Sequence, residues 1–326
     1  MNVNLFSHPV RLGFLVILFL GGMGWSSDLL VSRIALKSEL PASQYRPTAI
    51  HPQQLSQGWI INANQAIDLI QQGATLLDAR SSKLLKGRTP PGLRAIAWQN
   101  FSLPQNPNKG KLLTQDQILT EKLQALGISQ DQAVVVVNDP KTGWGEDGRI
   151  VWMLRTLGHK QAVLVDGGYP ALVSAGLLKR SNLGQNDYKP GDFVVDRRPD
   201  WTINQDQLQQ QLDSNNVVVI DSREPREYAG QTPYGEKRGG HIPGAIHLYY
   251  QDWLDDNGFL LPQAEILAQL DRLGITKKTE IIVYCTGGVR SAWLTAVLVD
   301  LGYHAKNYPG SMWEWSASPA EDYPLE

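Results

Sequence analysis

Residues 281–298, IIVYCTGGVRSAWLTAVL, contain the only cysteine of a 326-residue chain. The run up to Tyr284 is apolar and β-branched and reads as a buried strand. Cys285 ends it, Gly287 and Gly288 turn the chain, and from about Ser291 the apolar spacing becomes that of a helix stopped by Gly302. A single cysteine cannot close an internal disulfide, so either packing or reactivity must account for it. Its position favours reactivity, because ligands of open α/β sheets bind beyond the carboxyl ends of the strands. Inward-turned N–H groups of the glycine loop, a helix N-terminus and Arg290 all favour negative charge at the loop centre. A thiol held there is driven towards the thiolate, which is a nucleophile.

The stretch belongs to the second of two copies. GATLLDAR, ending at Arg80, recurs as NVVVIDSR, ending at Arg223, and TPPGLRAIAW (89–98) recurs as HIPGAIHLYY (241–250). LLTQDQILTEKLQALGISQDQAVVVVN matches LLPQAEILAQLDRLGITKKTEIIVYC, and MLRTLGHKQAVLVDGGYPAL matches AVLVDLGYHAKNYPGSMWEW. A repeat of this length is a duplicated domain. Each copy alternates continuous β-branched strands with amphipathic helices, which predicts an α/β fold: two domains, each a mainly parallel sheet covered by helices on both faces. The expected boundaries are 59–178 and 201–318, with a polar, Gly- and Pro-containing linker at 179–200 and a tail at 319–326.

The N-terminal 27 residues stand apart. Arg11 precedes an uncharged apolar run from Leu12 to about Trp25, shorter than a spanning helix needs, and small residues follow. Residues 1–27 therefore read as an export signal or a membrane anchor, engaging export machinery or the membrane, and 28–58 as a spacer. The protein is expected outside the cytoplasm, periplasmic or lumenal, or tethered to a membrane. Charged residues make up 19% of the chain, the net charge is −2 and no basic stripe is present, which argues against nucleic acid as a partner. No His/Cys/Asp cluster has ligand spacing, so neither a metal nor a cofactor is expected.

With these motifs assembled, residues 59–318 resemble the tandem rhodanese domains of thiosulfate and 3-mercaptopyruvate sulfurtransferases. The resemblance rests on DSREPREYAG, GGHIPGAIHL, VYCTGGVRSAW and YPGSMWEW in the second copy. The first copy supplies LLDAR, PPGLRAIAW, DGRIVWMLRTLGH and VLVDGGYPAL. It implies that Cys285 is the catalytic residue and that Thr286, Gly287, Gly288, Val289, Arg290 and Ser291 form the substrate-binding loop. It also implies a persulfide formed from a small sulfur donor and passed to cyanide, a thiol or a protein persulfide carrier. A non-catalytic binding module is the alternative. A cysteine phosphatase fits less well, because it uses a longer loop between Cys and Arg to hold phosphate, whereas only four residues separate Cys285 from Arg290.

Aligning VVVVNDPKTGWGEDGR on IIVYCTGGVR puts Asn138 where Cys285 stands. The first copy is therefore expected to form no persulfide and to help wall the site. Asp221 and Arg223 recur as Asp78 and Arg80 in that copy and read first as a structural ion pair. Glu227 falls where some members of the resembled family bind substrate through an arginine, and it is expected to place negative charge near the entrance. Thr286 and Gly287 replace basic residues of thiosulfate-selective members. His241, in GGHIPGA, is a weaker supporting candidate.

Overall fold

The computed structural model describes residues 52–81, 92–177 and 189–326. The N-terminal segment 1–27, the spacer up to His51 and the linker residues 179–188 lie outside the described residues.

In the first half the chain runs through α1 (Pro52–Gln57), β1 (Ile60–Ile61), α2 (Ala63–Gln71), β2 (Thr75–Asp78) and β3 (Arg94–Ala95). It continues through α3 (Asp116–Ala125), β4 (Val134–Val137), α4 (Glu146–Thr156), β5 (Ala162–Val165) and α5 (Gly168–Ser174). The second half starts with α6 (Gln205–Gln209), β6 (Val217–Asp221), α7 (Pro225–Tyr228), β7 (Ile246–His247) and α8 (Gln263–Arg272). It ends with β8 (Glu280–Tyr284), α9 (Arg290–Asp300), β9 (His304–Asn307) and α10 (Ser311–Trp315). The strands pair in parallel in the orders β1-β5-β4-β2-β3 and β7-β6-β8-β9. Thr202, bridging Asn307 in parallel, stands where β1 stands in the other sheet.

Alternation along the strands assigns the faces. Val135 and Val137 of β4 point to a core shared with Ile67 and Leu69 of α2 and Leu172 of α5. Val134 and Val136 point the other way, into a core that also takes Ile281 and Val283 of β8. Ile282 and Tyr284 face a third core, with Leu208, Met312 and Trp315. The middle core is thus common to both halves, and α4 and α9 lie within it. Every residue from Asp147 to Thr156 and from Arg290 to Leu298 is buried, so these helices are enclosed nearly all round, the polar Asp147, Arg149 and Arg155 included. Other contacts also cross the interface: Asp300 Oδ1 accepts from the N–H groups of Trp59 (2.6 Å) and Ile60 (3.0 Å), and Trp152 Nε1 donates to Trp201 O at 2.7 Å.

Three connecting segments depart from the expected boundaries. The end of the spacer is folded: Leu55 is buried, and Arg155 donates to the carbonyls of Leu55, Ser56 and Gly58 at 2.6–3.1 Å. The second part of the linker packs on the first half, with Phe193 buried and Asp196 N donating to Leu157 O at 2.9 Å. The tail is tied to the second half, where His241 and Glu326 exchange backbone hydrogen bonds of 2.8 and 3.0 Å and Arg238 Nη2 donates to Tyr323 O. Backbone polar groups that leave water need partners, and arginines supply several at once. Among the described residues no helix is long and apolar enough to cross a membrane.

A Cβ added to Gly148 would stand 2.4 Å from the Cα of Trp293, so the backbones of α4 and α9 approach closely at this point. Gly148→Ala should therefore destabilise the protein by about 1–3 kcal/mol through overpacking. A lowered thermal midpoint checks this, and an unchanged midpoint contradicts the close contact.

Candidate functional site

Cys285 follows β8 directly and is almost fully buried. The loop behind it closes because Gly288 takes φ 76°, a left-handed conformation that glycine adopts without strain. Its N–H then points back at the sulfur, N to Sγ 3.1 Å, and the Ser291 hydroxyl lies 3.4 Å from Sγ on the first turn of α9. Ser291 Oγ also lies 2.7 Å from Asn307 Oδ1, and Asn307 Nδ2 donates to Gly288 O at 3.3 Å. Burial pushes the Cys285 thiol up. The Arg290 charge, the Ser291 hydroxyl and the N–H groups of Ser291 and Gly287 outweigh it, and the thiol is held below its ordinary range.

Arg290 is committed on its other side. Its guanidinium forks onto Glu227, Nη1 to Oε2 2.5 Å and Nη2 to Oε1 2.8 Å, and both side chains are buried. Thr286 Oγ1 donates to Glu227 Oε1 at 2.5 Å, lies 3.2 Å from Glu236 Oε1 and accepts from Arg290 Nη2 at 2.7 Å. Glu227 therefore does not sit at the entrance as expected. It lies beneath the loop, where it supplies the counter-charge of the buried Arg290 guanidinium. Burial raises the Glu227 carboxyl, but the hydrogen bonds and charge of Arg290 more than offset this and leave it below the usual carboxylate range.

The sulfur opens onto a cavity of about 240 Å³ lined by Cys285, Thr286, Gly287, Val289, Arg290, Tyr234 and Trp313 from the second half. Trp98, Gln99, Trp144 and Glu146 complete it from the first half. The first half's longer loop delivers two of these. Asn138, standing where the other half has cysteine, donates Nδ2 to Glu146 Oε2 at 2.6 Å, and the Trp144 N–H binds the same oxygen at 2.6 Å. Trp144 meets Tyr234 edge to face at 4.8 Å and lies 5.0 Å from the Arg290 guanidinium. Among the described residues no cluster of His, Cys, Asp or Glu could hold a metal ion.

The remaining sequence-derived candidates lie elsewhere. Asp221 and Arg223 form a fully buried pair at 2.7 Å that also holds Gly240 O, away from the cavity wall. His241 is not brought to the cavity: its ring stacks on Tyr228 at 3.8 Å and its Nδ1 faces Tyr228 O at 3.2 Å. Two residues that sequence reasoning missed hold the loop. Ser311 adopts φ 51°, the one described non-glycine residue at positive φ, and its Oγ accepts from Cys285 N at 3.1 Å while donating to Tyr308 O at 2.7 Å. In the first half the equivalent turn uses Gly168 at φ 57°, so serine replaces glycine where a cysteine N–H needs an acceptor. The signal was the YPGSMWEW motif set against VLVDGGYPAL. Arg149 is the other, fully buried, donating Nη1 to Gly288 O at 3.1 Å from the opposite half. No spacing in the sequence indicates that crossing.

The rhodanese-like domain profile matches residues 204–318. A thiosulfate sulfurtransferase of Pseudomonas aeruginosa is 32% identical over 237 residues, covering 72% of this chain and 84% of that protein. The chain belongs to the rhodanese family of sulfurtransferases. Another family relative, the sulfur carrier protein TtuD of Thermus thermophilus, is 30% identical and covers 69% of this chain and 81% of its own length. Among solved structures, the Tum1 protein of Saccharomyces cerevisiae superposes with a TM-score of 0.68 at 16% identity, covering 83% of this chain and 98% of that one, which speaks for the fold. This rhodanese thus carries its one thiol at the carboxyl end of β8, in the half that the family profile matches.

The Arg290–Glu227 pair should dominate local stability. Glu227→Gln leaves a buried guanidinium without its counter-charge and should cost about 3–5 kcal/mol. Because the folded-state pKa of Glu227 is depressed, the pair contributes fully above the ordinary carboxylate pKa and less as pH falls through the depressed value. Urea unfolding from neutral to acid pH should therefore show a gap between wild type and Glu227→Gln that narrows on acidification. A gap independent of pH would contradict the pairing.

Proposed function

We propose that Cys285 carries the sulfur as a persulfide, that the half bearing Asn138 carries none, and that the cavity accepts sulfur donors of low charge. The observation behind this reading is the sulfur itself, which faces Gly288 N–H and the Ser291 hydroxyl beside Arg290 and opens onto a cavity. With thiosulfate, the thiolate attacks the sulfane sulfur. A new S–S bond forms to Sγ, the bond to the sulfonate sulfur breaks, and its electron pair leaves with sulfite. An acceptor such as cyanide, a thiol or a protein cysteine then attacks the terminal sulfur, and the electrons of the broken S–S bond restore the Cys285 thiolate. Negative charge stays on the enzyme sulfur throughout, first on Sγ and then on the terminal sulfur. Fixed donors around it stabilise both states without rearrangement.

Intact mass after exposure to thiosulfate or 3-mercaptopyruvate should rise by one sulfur atom and fall back on adding cyanide. Cys285→Ser should show neither change nor turnover. Retained turnover in that variant would sink the reading.

Donor choice follows from charge. Among the described residues the cavity lining holds one cation, Arg290, already chelated by Glu227, and Glu146 adds a carboxyl group. Relatives named thiosulfate sulfurtransferase and probable 3-mercaptopyruvate sulfurtransferase support a small donor, and the sulfur carrier protein relative supports a protein thiol as acceptor. A missing charge-assisted contact costs about 1.5–3 kcal/mol, about ten- to hundredfold in affinity. Thiosulfate should accordingly show a high KM, and a singly charged or neutral persulfide a lower one. Saturation at low thiosulfate would refute this assignment.

The same proposal places the protein outside the cytoplasm, exported or tethered by residues 1–27, on the strength of Arg11 and the apolar run after it. Deleting residues 1–27 should retain the protein in the cytosolic fraction. Fractionation unaffected by the deletion would remove the localisation.

A further inference from the structure

Arg149 belongs to the half without a cysteine, yet its contacts lead to the cysteine loop of the other. Nη1 donates to Gly288 O at 3.1 Å, and Nη2 donates to Gly110 O at 2.6 Å and Ser102 Oγ at 3.2 Å. The rings of Trp98 and Trp152 lie 5.7 and 4.6 Å from its guanidinium carbon. None of these partners is a carboxylate, no ion pair joins Arg149 among the described residues, and its buried Nε has no hydrogen-bond partner. Burying a cation without a counter-charge is costly. The Arg149 charge is balanced by no carboxylate, and the Cys285 thiolate is the anion it faces.

The internal repeat shows its origin. Arg149 closes the loop that begins at Asn138, as Arg290 closes the loop that begins at Cys285. Arg290 turns back within its own half to Glu227, whereas Arg149 crosses between the halves. The carbonyl it takes belongs to Gly288, the loop glycine held at φ 76° and the donor of the N–H that meets Sγ at 3.1 Å. Asn307 Nδ2 holds the same carbonyl at 3.3 Å. Burial pushes Arg149 down to about 9, against the opposing pull of the Cys285 thiolate, so it remains charged at neutral pH. Arg290 acts on the thiol more directly, but its charge is shared with Glu227.

We infer that Arg149 is a positioning residue for sulfur transfer, clamping the Gly288 carbonyl across the interface so that the Gly288 N–H stays on the sulfur, and adding positive charge that no carboxylate cancels. The half without a thiol is then part of the sulfur site through one guanidinium. This inference rests on Cys285 being the sulfur carrier.

The test uses full-length Arg149→Met and Arg149→Lys. It reads the pH profile of Cys285 alkylation, kcat and KM for thiosulfate:cyanide transfer, and the thermal midpoint. Arg149→Met should move the alkylation midpoint to higher pH and lower kcat about tenfold or more, with KM changed much less. Arg149→Lys keeps the charge but cannot reach Gly288 and Gly110 together, so it should preserve the alkylation midpoint and still lose kcat. A lower thermal midpoint with kcat and alkylation unchanged would reduce Arg149 to a packing residue and overturn the inference. If Arg149→Met does not fold, the Lys variant decides, and wild-type kcat in it overturns the inference. A wild-type protein that gains no sulfur by intact mass overturns the Cys285 reading as well. A wild type that gains sulfur, beside Arg149 variants that behave like it, overturns this inference alone.

Discussion

Gly148 of α4 lies against the Cα of Trp293 of α9, leaving no space for a Cβ, and the rest of the arrangement follows from that approach. Both helices are buried on nearly every side because each is packed between its own sheet and the other half. The loops entering them, 138–149 and 285–290, are thereby brought face to face. One contributes a sulfur and the donors around it. The other contributes Trp144 and Glu146 to the cavity wall and Arg149 to the loop's backbone. The two halves present equivalent loops, and the one with Asn138 in place of a thiol directs Trp144, Glu146 and Arg149 at the other.

Charge balance is the second constraint. A thiolate buried at the end of a strand needs donors and positive charge. Arg290 provides both, Glu227 neutralises it, and Thr286 bridges the two. The cavity therefore holds the sulfur among walls that include Trp98, Trp144, Tyr234 and Trp313, and the one cation in its lining, Arg290, is paired with Glu227.

How much of this was legible in the sequence depended on range. The continuous β-branched runs VVVV and EIIVY announced buried parallel strands, and the glycine pair after Cys285 announced the loop, because both are governed by residues adjacent in the chain. Asp221 and Arg223 read as a structural pair because they recur where no cysteine exists, and they are paired in the structure. Glu227 was placed at the entrance when only its position in the motif was known. Its direction is set by Arg290, a contact 63 residues away in the chain. His241 looked chemical by residue type but is spent on Tyr228 and the C-terminal tail. Arg149 was invisible because local patterning makes it one more residue of a helix, and only the helix–helix approach aims it at Gly288.

Sulfur transfer at this site requires Cys285 to be a thiolate inside its loop at neutral pH, despite its burial. Titrating the ultraviolet absorbance of the thiolate in the full-length protein, with Cys285→Ser as the blank, measures this directly, since no other thiol contributes. A midpoint below the ordinary thiol range, about 8.5 for an unperturbed cysteine, is the predicted result. A midpoint at or above that value would show that burial outweighs Arg290 and the loop donors, contradicting the electrostatic basis of the site.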